Sequence, residues 1–365
     1  MSKIVISGYY GFNNIGDESI LKAVIDNLKD KIPEASIVVL SQKPEQTEQK
    51  YQVSSVDRKS IWKIKKAIFK CDLLISGGGS LLQDVSSKKS ILYYLAIIWI
   101  AKFFRKKVFI YSQGIGPITS KFNRYLTFLT LRNIKNVGVR DEASKELLIE
   151  IGLKKGNIFV TSDPVLRINK ADLSLGKKIL EDEGFTHDKN RIIVGWAIRE
   201  NKLESNFVSE LCQAIRLIND KFDTQSVLIP FHYSEDMKVI MKIKEELGDL
   251  VTCIEHKYLT EEMLSIIGNM DVLVGVRLHS IIHAAIMEVP IIGISYDPKV
   301  NSFLHSINMK AMCSVYDFKS EFFIEEFQKT LQNQEKTKEI VKIEMEKLIQ
   351  RLDKNEELIK ELLAK

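Results

Sequence analysis

Cysteine, proline and glycine are all scarce: 4, 7 and 18 residues among 365. So little proline and glycine excludes a collagen-like or low-complexity chain. With 45% apolar and 28% charged residues, disorder is excluded as well. Cys71, Cys212, Cys253 and Cys313 form no CxxC pair and lack metal-finger spacing. Each lies in or beside an apolar stretch, the setting of a buried free thiol in a reducing, cytoplasmic compartment. No apolar run reaches the roughly 20 residues that span a bilayer. The longest, Ile91–Ala101, ends at Lys102 and reads as a buried helix. Its flanking Lys88, Lys89, Lys102, Arg105, Lys106 and Lys107 leave open a peripheral contact with the inner membrane face. The segment Met1–Gly8 enters a strand-like run at once, without the long apolar core of a signal peptide. HExxH, HxxEH, GxSxG and Walker A motifs are missing, as is an acidic cluster of metal-ligand spacing, so no metal is expected. A strong charge bias is missing too: 53 Lys and Arg against 48 Asp and Glu leave +5. That is less than a duplex-binding protein concentrates, so no nucleic-acid partner is expected. It suits anionic small ligands or an anionic membrane surface equally.

What is present is alternation. Short apolar runs at Lys3–Ser7, Ser36–Leu40, Asp72–Ser76, Lys107–Ser112, Asn136–Val139 and Asn157–Val160 read as strands. Helical periodicity at 18–31, 60–69, 90–104, 122–133 and 142–151 separates several of them. The same alternation recurs in the second half. Strands are expected at 191–197, 226–229, 251–254, 271–274 and 291–295, with helices at 204–219, 235–247, 261–268 and 280–287. The expected fold is α/β: two doubly wound, Rossmann-like domains facing a cleft, with a C-terminal helical tail. The boundaries are 1–166 for the first domain, 167–190 for a polar linker, 191–318 for the second domain and 319–365 for amphipathic helices. In open parallel sheets the ligand lies beyond the carboxyl ends of the strands.

Three segments follow strands in the first half. Gly8–Glu18 (GYYGFNNIGDE) spaces three glycines as G-x2-G-x4-G, which is not a dinucleotide fingerprint. It reads as a substrate loop containing Asn13 and Asn14, or as a structural turn with Asp17 capping the next helix. Ser76–Asp84 (SGGGSLLQD) places Gly78 and Gly79 where a ligand can approach the backbone beside a helix start. Gln113–Pro117 repeats the theme, and Arg140 ends the next strand as an anion fork or a surface partner of Asp141. Asp163, before Pro164, reads first as a turn former.

In the second half, Val272–Val276 runs into Arg277-Leu278-His279-Ser280 and then a helix. A fixed cation, a titratable ring and free helix amides thereby meet in one turn. Lys299 follows the next strand, in Ser295–Lys299 (SYDPK). Together with Arg140 these residues suggest a doubly anionic ligand. His232 either faces the cleft or packs beside a Ser234 cap; His187, His256, His283 and His305 read as core or surface residues.

Taken in order, Gly8–Glu18, Ser76–Asp84, Gln113–Pro117, Val139–Asp141, Arg277–Ser280 and Ser295–Lys299 resemble the polysaccharide pyruvyl transferase family, most of all its bacterial cell-surface-anchoring branch. The resemblance covers residues 3 to about 305. It implies a fold like that of GT-B glycosyltransferases, and transfer of the enolpyruvyl unit of phosphoenolpyruvate, a co-substrate, onto a sugar as a pyruvate ketal. No cofactor is implied. In that branch the acceptor is N-acetylmannosamine in a lipid-linked precursor of a secondary cell-wall polymer, and the ketal serves S-layer anchoring. By resemblance Arg140, Arg277, Leu278, His279 and Lys299 form the phosphoenolpyruvate site, placing it in the second domain and the acceptor in the first. An imidazole titrates near about 6.5 and can protonate carbon at neutral pH. His279 is therefore the candidate general acid and Asp17 a candidate base. Asn13, Asn14, Gly78, Gly79, Gln113 and His232 are candidate acceptor or loop contacts. The alternative is a nucleotide-sugar-dependent GT-B glycosyltransferase or epimerase; a non-catalytic binding protein of the same fold is a weaker rival.

Overall fold

Strands buried on both faces carry no polar alternation, and the short runs of Ile, Val and Leu behave accordingly: Leu73–Ser76 is buried at all four positions. A computed structural model describes residues 2–85, 87, 89–199 and 206–364. The chain divides into two compact units, Met1–Arg167 with Lys347–Lys365, and Ile168–Glu346.

The first unit runs β1 (Lys3–Ser7), α1 (Ile15–Lys31), β2 (Ser36–Ser41), α2 (Pro44–Tyr51), β3 (Ser54–Asp57), α3 (Ile61–Phe69), β4 (Leu73–Ser76), β5 (Gly79–Leu82), α4 (Ser90–Phe103), β6 (Lys107–Ile115), α5 (Lys121–Leu131), β7 (Val137–Val139), α6 (Glu142–Ile151) and β8 (Ile158–Val160). The strands make one parallel sheet in the order β3-β2-β1-β4-β6-β7-β8, with β5 paired to β6. Val5 pairs with Val38 on one side and Leu74 on the other. Val5, Leu74 and Ile110 of the sheet share one core with Ile68, Ile98 and Leu148 of the helices. Each such fully buried side chain contributes about 1.5–3 kcal/mol. The six buried residues of α4 include Ile91, Leu95 and Ile98, so most of the longest apolar run is core.

The unit is completed from the far end of the chain by a helix at Asp353–Ala364. Its buried Glu356 accepts from Tyr111 Oη at 2.6 Å, from Arg167 Nη1 at 2.9 Å and from Asn27. Burial pushes the Glu356 carboxyl above its ordinary value, against the pull of Tyr111 and Arg167.

The second unit runs α7 (Leu173–Asp182), β9 (Ile192–Ala197), α8 (Phe207–Phe222), β10 (Thr224–Leu228), α9 (Tyr233–Leu247), β11 (Val251–Cys253), α10 (Thr260–Gly268), β12 (Val272–Gly275), α11 (Leu278–Ile286), β13 (Ile291–Ser295), α12 (Pro298–Ser306), β14 (Cys313–Ser314) and α13 (Ser320–Gln332). Its six strands are parallel in the order β11-β10-β9-β12-β13-β14, the doubly wound arrangement.

Two polar segments differ from the sequence reading. The stretch expected as a linker at 167–190 carries α7, which buries Ile179 and Leu180 and packs on α10. The tail is helical, as expected, but α13 buries Phe323 and Phe327 in the second unit's core. The helix expected from Glu204 begins at Phe207; residues 204 and 205 lie outside the described residues, as does Lys88. Among the described residues no helix is long and apolar enough to cross a membrane.

Candidate active site

In the second unit the loops after β10, β12 and β13 meet at one edge, because β10-β9-β12-β13 are consecutive parallel neighbours. Arg277 is the N-cap residue of α11, with Leu278 buried and His279 half-buried in the first turn. Arg277 Nη2 donates to Asp236 Oδ1, and to Glu235 Oε2 at 3.2 Å. Asp236 is fully buried, and its Oδ2 accepts the backbone amides of Phe231 (3.0 Å) and His232 (2.7 Å). Both carboxylate oxygens are thus satisfied and the charge is offset. His232 Nδ1 lies 3.1 Å from Glu235 Oε2. Burial alone would raise the Glu235 carboxyl; His232, Arg277 and Arg199 outweigh it and hold that carboxyl below its usual range. Burial also disfavours the Arg277 charge, but Asp236 and Glu235 reverse this and raise its pKa. Arg277 Nε is buried without a hydrogen-bond partner among the described residues. An unmatched buried donor costs about 1–3 kcal/mol, so this atom favours an incoming acceptor.

After β13, Tyr296 lies under the Arg199 guanidinium, 4.7 Å from its centroid. Asp297 caps α12, accepting Lys299 N at 3.0 Å; Lys299 Nζ stands 3.6 Å from its other oxygen. Arg277, His279 and Lys299 therefore occupy neighbouring strand-to-helix turns, at the starts of α11 and α12. His232 joins the same edge, and it is His232, not Ser234, that stands at the N-cap of α9. His283 is fully buried, edge-on to Phe231, as expected of a core histidine. The sequence reading missed Glu235, Asp236, Arg199 and Tyr296. The adjacent carboxylates in Glu235-Asp236, one turn after a strand, were the available signal for the first two.

The first unit holds Arg140 at the end of β7. It is 9% exposed; Nη1 donates to Asp163 Oδ2 at 3.1 Å and Nη2 to Ser80 Oγ at 3.2 Å. This is a buried ion pair; Asp141 takes part as well, its Oδ2 3.5 Å from Arg140 Nε while Oδ1 caps α6 by accepting Ser144 N. Asp163 forms its turn as well, accepting Val165 N at 3.1 Å. Gly114 makes room for Arg140: a Cβ there would stand 2.8 Å from Arg140 Nε.

Asn14, not Asp17, caps α1, accepting Gly16 N at 3.0 Å, because Asn14 stands at the N-cap position itself. Asp17 lies in the first turn and approaches Gly79. No helix begins after the glycine run; β5 does, so the helix-terminus anion site expected there is absent. What approaches the run is protein: a Cβ on Gly77 would stand 2.3 Å from Tyr10 Oη and one on Gly78 2.9 Å from Ile20. Gln113 is fully buried and reaches Gly77 O with Nε2 at 3.4 Å. A register shift in β6 between Ile110 and Gln113, with Ser112 at φ 45°, aims it there. Ser7 Oγ, Tyr10 Oη and Gln113 Oε1 are buried without hydrogen-bond partners among the described residues. A separate cavity of about 750 Å³ is lined by Asn13, Gln42, Lys43, Arg58, Ser90 and Tyr93, among others. Asn13 takes the left-handed conformation at its mouth, φ 57°. Among the described residues no group of three His, Cys, Asp or Glu could hold a metal ion.

No curated protein matches the sequence. Solved structures resemble it in fold. Anabaena HepE in complex with UDP-glucose covers both chains fully at 14% identity and TM-score 0.67. UDP-GlcNAc 2-epimerase from Neisseria meningitidis bound to UDP-GlcNAc covers 97% of this chain and 100% of its own, at 14% and 0.62. S. aureus MnaA with UDP covers 93% and 91%, at 11% and 0.65. These likenesses show a GT-B-like fold. The model of the polysaccharide pyruvyl transferase family matches residues 14–298, a span that includes Arg140, Arg277 and His279 and stops just before Lys299. By that match, over most of its length, the chain is a transferase and belongs to the polysaccharide pyruvyl transferase family.

Proposed function

We propose that the chain transfers the enolpyruvyl unit of phosphoenolpyruvate to a sugar diol, forming a pyruvate ketal and phosphate. The observation that carries this reading is Arg277, locked by two carboxylates with a buried Nε still unmatched, beside His279 and Lys299. Guanidinium, ammonium and helix amides suit a molecule bearing both phosphate and carboxylate. His279 delivers a proton to C3, leaving positive charge at C2. One sugar hydroxyl adds to C2, the phosphate C–O bond breaks, and a second hydroxyl closes the ketal. The two hydroxyl protons balance the one taken up by C3 and the one leaving with phosphate. Asp17 is the candidate base for the first hydroxyl, and Arg140 a further candidate for the donor's anions.

The acceptor in this reading is N-acetylmannosamine of a lipid-linked secondary cell-wall polymer precursor, handled at the cytoplasmic face of the membrane. The cavity beside Asn13, Lys43 and Arg58 supports an acceptor site in the first unit, being polar at Asn13 and Gln42 and cationic enough for a diphosphate link. The UDP carried by the fold relatives belongs to those proteins and enters here as the competing ligand.

Thermal shifts with phosphoenolpyruvate and with UDP, on wild type and Arg277→Ala, test the reading. A ligand at 100 times its Kd adds about 2.7 kcal/mol. A shift with phosphoenolpyruvate that Arg277→Ala abolishes is the expected result. A shift with UDP alone turns the reading to nucleotide-sugar transfer.

A further inference from the structure

Charge is segregated along the chain. Between Arg58 and Arg140 stand seventeen lysines and arginines and two acidic residues, Asp72 and Asp84, while the whole chain carries a surplus of only five. Of the two, Asp84 is withdrawn from the surface and Asp72 is exposed. Asp84 is buried among Thr119, Ser120 and Asn123, and Asp72 binds the Lys3 amide at 2.8 Å. The segment is α3, α4, α5 and the strands they cover.

The same helices turn apolar side chains outward. On α3, Trp62 (80% exposed) and Phe69 (60%) lie two turns apart with exposed Lys65 and Lys66 between them. On α4, Ala96, Trp99, Ile100 and Phe103 fall at the spacing of one helix face, opposite its buried face; Phe103 is 80% exposed. The stripes adjoin: Phe69 and Phe103 both pack edge-on against Phe104, at 5.3 and 5.2 Å. Lysine ammonium groups lie beside the rings, Lys65 by Trp62 and Lys106 by Phe69, each at 5.7 Å. Phe122 and Tyr125 of α5 are exposed as well. A contiguous apolar patch rimmed by charges of one sign marks an interaction surface.

We infer that the α3–α4 face docks on an anionic bilayer, its rings entering the headgroup region while Lys59, Lys63, Lys65, Lys66 and Lys70 meet lipid phosphates. Trp and Phe on a lysine-rich helix face have the amphipathic character of interfacial membrane anchors. Aliphatic Ile61 and Ile100 share the surface and offer no ring for a nucleic-acid base to stack on. Both also line the cavity beside Arg58, so docking brings that cavity's mouth to the lipid surface. The surface is independent of the reaction the enzyme runs, and its test uses plain lipid without donor or saccharide.

The test is flotation of the full chain with phosphatidylcholine vesicles, with and without 30% phosphatidylglycerol, while following tryptophan emission. Trp196 is fully buried, so a blue shift reports Trp62 and Trp99. The expected result is binding to the anionic vesicles at low salt, weakening as salt rises, with a blue shift. Polybasic attraction is worth about fivefold in partitioning per lysine. Lys63→Glu/Lys65→Glu/Lys66→Glu therefore lowers binding more than tenfold, and Trp62→Ser/Phe103→Ser lowers it and reduces the blue shift to the share that Trp99 reports. All five positions are exposed, so an unchanged melting temperature accompanies both variants. No flotation at low salt, or equal flotation of the variants, overturns the inference. A dimer dissolved by Trp62→Ser/Phe103→Ser, or tighter binding to duplex DNA than to vesicles, also overturns it and assigns the face to that partner.

Discussion

Asp236 anchors Arg277: a carboxylate with no solvent exposure accepts two backbone amides on one oxygen and the guanidinium on the other. Removing one partner of a buried pair strands the other's charge, at about 3–5 kcal/mol. Asp236→Ala is expected to lower unfolding stability by that amount. Asp236→Ala/Arg277→Ala should lose less than the two single changes together, by about 0.5–3 kcal/mol in a denaturant double-mutant cycle. Strict additivity would dissolve the pair.

His279 and Arg277 share a turn, and the proposed reaction divides chemistry and binding between them. His279→Ala is expected to lower kcat about 10²–10⁴-fold with little change in the phosphoenolpyruvate KM. Arg277→Ala should chiefly raise that KM, and Arg277→Lys should not restore it, because an ammonium cannot reproduce the guanidinium fork. Steady-state phosphate release measures all three. A His279→Ala enzyme within about threefold of wild type would transfer the general-acid role elsewhere.

Asp84 pins the turn between β6 and α5, accepting Thr119 N, Thr119 Oγ1, Ser120 N and Asn123 Nδ2 at 2.8–3.0 Å. Burial would raise its carboxyl, but these bonds, led by Thr119 N, hold it at about 2. A carboxyl depressed by folding stabilises the chain above its unfolded value near 3.9, and that contribution fades as pH falls through about 2. It amounts to about 2.5 kcal/mol. Urea midpoints between pH 6 and pH 2 should fall more steeply for wild type than for Asp84→Asn.

Gly114 is where the backbone yields to Arg140. Gly114→Ala would set a methyl 2.8 Å from both Arg140 Nε and Ser80 Oγ. Overpacking of this kind costs about 1–3 kcal/mol. The expected readout is a lower melting temperature, and a weaker donor KM if Arg140 serves the donor. A variant as stable as wild type would show that the guanidinium moves aside easily.

The sheets were legible because strands such as Val272–Gly275 and Ile291–Ser295 are unbroken apolar runs between turns. Elements held by partners and not by pattern were not. β3 (Ser54–Asp57) is a polar edge strand recognisable only through its pairing with β2, and β5 was hidden in a glycine run. α2 (Pro44–Tyr51) has just two buried residues, Thr47 and Tyr51, too few for a periodic signal. In the site, Arg277, His279 and Lys299 announced themselves by following strands. Asp236 and Glu235 did not, since they reach Arg277 from forty residues earlier, across the sheet edge. Asp17 was the expected cap of α1 and Asn14 fills that place, a difference that only backbone geometry reveals.

The Glu356 contact with Arg167 spans 189 positions of sequence. A ribosome adding about 5–20 residues per second takes roughly 10–40 s to cover that distance. Throughout that interval the nascent first unit presents Tyr111, Asn27 and Arg167 without their carboxylate, and the entire second unit is made first. Birth order and folding order thus run opposite here: the unit begun first is finished last, and a chaperone holding the early product would be holding an unsealed sheet face.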